Sequence, residues 1–336
     1  MTPKIDAALT GALADVPAAA ARLRRIGFDG CFTFEGPSDP FFPLVAAASS
    51  GLDLYTNVAI AFPRSPMHLA YMAADLQRAS NGGFTLGLGT QIKPHIENRF
   101  SSTWGKPVAH MRELLAALRA IFSCWSNGTT LDHRGDYYNL TLMTPVFVPP
   151  PFGAPPPLWI GALGPNMTRL AGGAADGLLV HPFHTERFLR ERTLPLVEEG
   201  AAADGRTGSR CAVGVDVMVG VWRTEQEREA AMRGCRAQVG FYGSTPAYRP
   251  TFELHGWGDL QPQLRAMTKS GRWDELGSLI SDEMVATIAC VGTPTQVAHQ
   301  LHERYGDVAD RIGLQVPYGA DESVLAELVT EWRKPT

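Results

Sequence analysis

Short apolar runs alternate with longer stretches of helical periodicity along almost the whole chain. Lys4 to Leu9, Cys31 to Glu35, Leu54 to Ala61 and Phe84 to Gly89 each read as a buried strand, and the segments between them repeat their apolar residues at helical spacing. Val16 to Ile26 is the first helix, with Asp15 as expected N-cap, Pro17 in the first turn and Gly27 at its end. Ser38-Asp39-Pro40 opens the second, with Asp39 as N-cap and Pro40 in the first helical position, where a missing N–H costs nothing. The helix from Pro66 to Asn81, capped by Ser65 and stopped by Gly82, feeds the fourth strand. Four such units predict a parallel sheet with helical crossovers.

The alternation continues with two interruptions. A long helix, Val108 to Trp125, precedes the polar stretch Asp132 to Asn139 and a proline-rich segment from Pro145 to Pro157 that can be neither regular helix nor central strand. Leu158 to Ala162 and Gly177 to His181 are the next strands, and Gly164-Pro165 starts a helix between them. After the strand Ala212 to Val221, the chain spends about sixty residues on helices and a loop, far more than a usual connection. Thr293-Pro294-Thr295-Gln296 is a capping box, and Arg311 to Val316 is the last strand. Eight strands separated by helices predict an α/β fold, a (β/α)8 TIM barrel forming one domain over 1–336, with insertions at about 128–157 and 222–285 after strands four and seven.

Composition narrows the class. A hydrophobic fraction of 45% and a charged fraction of 19% are those of an ordinary enzyme. A net charge of −4 gives no general attraction for phosphate backbones, so nucleic acid is not an expected partner. Five scattered cysteines without a Cys-x-x-Cys pair argue against a disulfide framework and for a reducing, cytoplasmic setting. No leader and no long apolar run is present, so no membrane role is expected.

In a barrel of this kind the site lies at the carboxyl ends of the strands. The residues to weigh there are Leu9, Thr10, Glu35, Gly36, Asn57, Val58, Thr90, Gln91, Ala162 to Gly164, His181 and Gln315 to Tyr318. Gly87-Leu88-Gly89 is not a dinucleotide fingerprint, because Lys93-Pro94 comes where its helix should continue. Glycines in a strand interior mean either that another group approaches the backbone closely or that the core packs tightly there. No metal is expected: the proline in His181-Pro182-Phe183-His184 breaks the spacing that would bring both histidines to one ion. No Gly-x-Ser-x-Gly nucleophile elbow occurs.

These strand ends resemble the bacterial luciferase-like superfamily, and within it the coenzyme F420-dependent oxidoreductases of actinobacteria and archaea. The resemblance rests on Gly27-Phe28-Asp29-Gly30, Thr56-Asn57-Val58 followed by Pro66, Gly87-Leu88-Gly89-Thr90, and Ala162-Leu163-Gly164-Pro165 through Ala175-Asp176-Gly177. Gln91-Ile92-Lys93-Pro94-His95-Ile96-Glu97 and Phe241-Tyr242-Gly243-Ser244-Thr245-Pro246 resemble an actinobacterial subgroup. It implies a deazaflavin lying flat at the barrel mouth, with Glu35, Asn57, Val58, Gly89, Thr90, Gln91, Ala162, Leu163 and Gly164 around it. It also implies a cis bond between Asn57 and Val58 forming a bulge behind the ring, backbone N–H groups at Gly164 for an anionic tail, and a homodimer.

Several relatives carry Asp-His at the second strand's end and Gly-Glu after the fourth-strand glycines, a histidine and an acid for proton transfer. Here those positions hold Glu35-Gly36 and Gln91-Ile92, which leaves Glu35 and His181 as the candidate catalytic groups. Alternatively, Glu35 hydrogen-bonds the cofactor ring or a neighbouring backbone, and His181 orders its loop. Three functions are consistent with these residues: an F420-dependent oxidoreductase acting on a small organic substrate under an insertion containing Tyr242, Tyr248, His255 and Trp257, an FMN-dependent monooxygenase, and a cofactor-binding protein without turnover. The lid aromatics also read as core that closes the insertion.

Overall fold

The computed structural model describes residues 2–334. Eight strands, β1 (Lys4–Ala8), β2 (Gly30–Thr33), β3 (Asp53–Thr56), β4 (Phe84–Gly89), β5 (Leu158–Gly161), β6 (Gly177–Val180), β7 (Ala212–Val221) and β8 (Arg311–Gln315), pair in parallel in that order. Lys4 of β1 pairs with Arg311 of β8, so the sheet closes on itself. Around it run α1 (Val16–Ile26), α2 (Phe41–Ala47), α3 (Pro66–Ala79), α4 (Pro107–Asn127), α5 (Pro165–Ala174), α6 (Leu194–Ala203), α7 (Glu225–Gly243), α8 (Pro294–Tyr305) and α9 (Glu322–Trp332). The predicted (β/α)8 barrel is the observed fold.

Local details differ from expectation in instructive ways. Pro40, not Asp39, is the N-cap of α2, but the Asp39 carboxylate still accepts the Phe41 N–H at 2.8 Å. Asp15 makes no side-chain cap, because a 3-10 turn over Leu13–Asp15 already leads into α1. The third strand is interrupted: β3 ends at Thr56, and a short strand, Ala59–Ile60, resumes against β4. A further strand absent from the sequence reading, Cys290–Gly292, pairs with Val219–Val221 at the end of β7, which is ten residues long because one edge serves β6 and then this strand while the other pairs with β8. The outer half of β7, α7 and the helices to Ile288 enclose a second apolar cluster around Met218, Cys235, Val239 and Phe252.

Inside the barrel, Phe32, Tyr55, Trp159 and Leu179 form an apolar plug. Beneath it lies a buried charge network. The Arg311 guanidinium donates two bonds to Asp6, at 2.6 and 2.7 Å, and one to Asp53 at 2.6 Å, while the Tyr55 hydroxyl donates to Asp6 at 3.1 Å. Gly30 is required beside this network, since a side chain there would overlap both Arg311 and Asp6. Asp6 is 0% exposed, so its charge depends on Arg311 for compensation. Arg311→Leu is expected to destabilise the fold by roughly 3–5 kcal/mol. A urea midpoint unchanged from wild type would contradict this.

Candidate active site

At the carboxyl ends of the strands opens a cavity of about 1310 Å³. That exceeds the roughly 300–1,000 Å³ of a single-ligand pocket. It extends sideways past the barrel toward Leu23, Phe28 and Leu325, and its inner part has two unlike walls. One is small and apolar, made by Val58, Gly89, Gly161, Ala162 and Leu163; the other carries His181, Asp216, Gln315, Tyr242 and Tyr248.

The apolar wall is built by the break in the third strand. After Thr56 the Asn57–Val58 peptide is cis, as the family resemblance implies. The Thr56 hydroxyl donates to the Gly87 carbonyl at 2.6 Å and accepts the Gly87 N–H at 2.9 Å, replacing the lost ladder. A side chain at Gly87 would overlap the Thr56 carbonyl oxygen, and one at Gly89 would overlap the Val58 side chain. Close packing within the protein therefore explains both glycines. What they permit is the seating of Val58, which also stands over Gly161.

Glu35 does not line this cavity. Its carboxylate accepts the Ile60 N–H at 2.7 Å and the Arg64 guanidinium at 2.6 Å, its side chain is 6% exposed, and its own N–H donates to the Val58 carbonyl at 3.2 Å. Both carboxylate and backbone thus face the bulge from behind. This corrects the expectation of a catalytic acid or ring contact: Glu35 is a buttress that fixes Val58, the neighbouring-backbone role.

His181 does line the cavity, but in a fixed neutral form. The Phe183 N–H donates to Nδ1 at 3.1 Å, which leaves the proton on Nε2, facing the Tyr248 hydroxyl at 3.0 Å. The ring stacks on Tyr248 and meets Tyr242 edge-on. Burial pushes its pKa down to about 3, and nearby His184 adds to the effect. An imidazole so placed cannot serve as a titrating acid near neutral pH, which revises the catalytic role expected of it.

Of the four lid residues singled out, Tyr242 and Tyr248 reach the cavity. His255 instead bonds Thr185 at 2.9 Å and stacks on Trp257, which packs on Phe252, so these two close the second core.

The remaining expected residues surround the mouth. Gln91 has a left-handed backbone, φ 57°, and its side chain folds back to accept the Ile92 N–H at 3.1 Å, while the Thr90 hydroxyl donates to the Gln91 carbonyl at 3.0 Å. Gly164 is different. Its φ of −82° and ψ of 152° suit any residue, and a Cβ there would meet nothing within 4 Å. It caps α5, whose first turn begins with Pro165 and has no side-chain cap, so free backbone N–H groups face the opening.

The residue missed by the sequence reading is Asp216. It sits at the middle of β7, 5% exposed, and Asn57 Nδ2 donates to both its carboxylate oxygens at 2.8 Å, with Gln315 Nε2 at 3.3 Å. A lone acid inside Ala-Val-Gly-Val-Asp-Val-Met-Val-Gly-Val was the available signal. Asn57 accordingly points away from the Val58 wall. Among the described residues no cluster of three or more His, Cys, Asp or Glu could hold a metal ion, and no helix is long and apolar enough to cross a membrane.

Residues 3–311 match the family model for luciferase-like monooxygenase. The chain belongs to that family. This luciferase-like protein is 44% identical over 334 residues to the uncharacterized protein Rv1360 of Mycobacterium tuberculosis (strain ATCC 25618 / H37Rv), covering 98% of each. It is 25% identical over 293 residues to 5,10-methylenetetrahydromethanopterin reductase of Archaeoglobus fulgidus, covering 85% of this chain and 83% of that protein. In fold it matches the coenzyme F420 dependent tetrahydromethanopterin reductase from Methanopyrus kandleri, with a TM-score of 0.79, 20% identity, and coverage of 98% and 96%.

Within the luciferase-like barrel the two buried acids differ in their surroundings. Asp6 has a guanidinium, whereas Asp216 has only amide donors. Burial pushes the Asp216 pKa up to about 7, against the lowering pull of Gln315 and Asn57, and Asp6 adds to the rise. Because its folded-state pKa lies above the unfolded value, its stabilising contribution is complete below about pH 4 and is lost as pH rises through about 7. Asp216→Asn removes that loss. The Tm of the variant should therefore gain on wild type by roughly 3 °C between pH 4 and pH 8. A constant Tm difference across this range would show that Asp216 is an ordinary ionised carboxylate.

Proposed function

We propose that this chain is a coenzyme F420-dependent oxidoreductase, moving a hydride between the deazaflavin and a small organic substrate. The observation that carries the reading is Gly164: neither its backbone conformation nor any protein neighbour calls for glycine, and the free space beside it opens at the amino end of α5. An anionic cofactor tail approaching the backbone there would meet oriented N–H groups and no side chain. The small apolar lining of Val58, Gly89 and Gly161 leaves room for a planar ring, and the cavity is large enough for ring and substrate together. A sequence relative from Mycobacterium tuberculosis, 26% identical over 295 residues and named a putative coenzyme F420-dependent oxidoreductase, supports the deazaflavin over FMN.

When bound, the deazaflavin supplies or takes the hydride. The protein's part is placement: Glu35 and Arg64 hold the bulge, Val58 would back the ring, Thr90 and Gln91 would border it, and Ala162 to Gly164 would receive the tail. The wall with Tyr242 and Tyr248 is left for the substrate.

Titration of the purified protein with oxidised F420 and with FMN, followed by fluorescence, is expected to give at least tenfold tighter binding of the deazaflavin. Micromolar FMN binding without deazaflavin binding would instead establish a flavin monooxygenase. Gly164→Val should raise the deazaflavin Kd by roughly tenfold or more at unchanged Tm, since about 1.4 kcal/mol of lost contact suffices. Unchanged affinity would mean that the tail lies elsewhere.

A further inference from the structure

We propose that Asp216 is the acid–base residue of this cavity, exchanging a proton with the oxygen of an uncharged carbonyl or alcohol substrate held against the Tyr242 and Tyr248 wall. The assignment rests on the hydride-transfer reading and identifies its proton partner.

Among the described residues, Lys93 and Asp216 are the only charged side chains lining the cavity, and Lys93 belongs to the loop beside Gln91, where its ammonium lies 3.8 Å from Glu97. Asp216 stands in the inner part, held by the side chain of Asn57, the residue before Val58. A substrate entering the inner part of the cavity would reach both the carboxyl and the small apolar lining beside Val58.

Asn57 and Gln315 orient the carboxyl with amide donors, which carry no charge and leave it free to hold or release a proton. The other titratable side chains lining this part of the cavity are held away from neutrality. Tyr242 is pushed up to about 12 and Tyr248 is raised as well, both mainly by burial; His181 is neutral with both ring nitrogens engaged; Tyr55 and Asp6 lie below and belong to the Arg311 network. Burial brings Asp216 itself to about 7, where acid and base forms coexist at neutral pH.

No arginine or lysine faces this half of the cavity among the described residues, so a phosphate or carboxylate would enter without a partner and opposite Asp216. An uncharged molecule with an apolar body suits the tyrosine wall.

In the reducing direction, hydride adds to the carbonyl carbon, the π pair moves to oxygen, and that oxygen takes the Asp216 proton, leaving a carboxylate held by Asn57 and Gln315. In the oxidising direction, the carboxylate removes the hydroxyl proton as the C–H bond gives its pair to the oxidised deazaflavin. The proton is exchanged with solvent through the open mouth.

The test compares wild type, Asp216→Asn and Asp216→Glu, using reduced F420 with cyclohexanone and oxidised F420 with cyclohexanol. Asp216→Asn is expected to lower kcat by roughly 100-fold or more, to leave the F420 Kd within threefold, and to abolish a pH break near neutrality that wild type shows. Asp216→Glu should recover part of the rate. Carboxyl NMR of protein labelled at aspartate should show one resonance titrating near neutrality that is missing from Asp216→Asn. A kcat within fivefold of wild type, an unchanged pH profile, titration of that resonance below pH 5, or cofactor binding with turnover of neither probe would each overturn the assignment. Failure of the cofactor reading looks different: F420 fluorescence would be unaffected by wild type and variants alike, which removes both proposals together.

Discussion

The seating of Val58 is the constraint on which the site depends. Strand β3 stops at Thr56, and the next residues leave the barrel ladder instead of continuing it. Every nearby oddity follows from holding that departure in place: glycine at 87 and 89, the Thr56 hydroxyl standing in for a backbone partner, and Glu35 bonded to Ile60 and Arg64 behind the bulge. A buried carboxylate that accepts an N–H and a guanidinium together is a strong local clamp. Loosening it would move the wall of the cavity without touching the cavity's contents.

Two buried aspartates divide the barrel interior between stability and chemistry. Asp6 is compensated by Arg311 and closes the base. Asp216 sits higher, above the apolar plug and facing the cavity, with amides alone for company. Burial raises both carboxyls, but at Asp6 the Arg311 guanidinium pulls back toward the ionised form, whereas at Asp216 only amides do. Environment decides, since a guanidinium stabilises the ionised form whereas desolvation without a cation favours the neutral one.

Most of the barrel was legible from sequence because each strand carried an apolar run and each helix a start or stop residue. Phe84 to Gly89 and Ala212 to Val221 have the predicted bounds, and Thr293 with Gln296 forms the predicted capping box. Cys290–Gly292 escaped because three residues carry no periodicity. The site was less legible. Glu35 ends an apolar run and gives no sign of which way its side chain turns; its partner Arg64 lies 29 positions away, and only the fold brings them together. His181 looked like a free imidazole because its Tyr248 partner sits in a distant insertion. Asp216 was visible as a charge inside an apolar strand, but its meaning depends on Asn57, 159 residues earlier.

In the proposed function the Val58 wall would receive the cofactor ring and the Asp216 side would be left to substrate. A crystal structure of the protein with oxidised F420 tests it most directly. The account predicts the tricyclic ring against Val58, Gly89 and Gly161, its tail passing Gly164 toward the amino end of α5, and open space between the ring and Asp216. A ring stacked on Tyr242 and Tyr248, or a tail directed to Asp216, would contradict it.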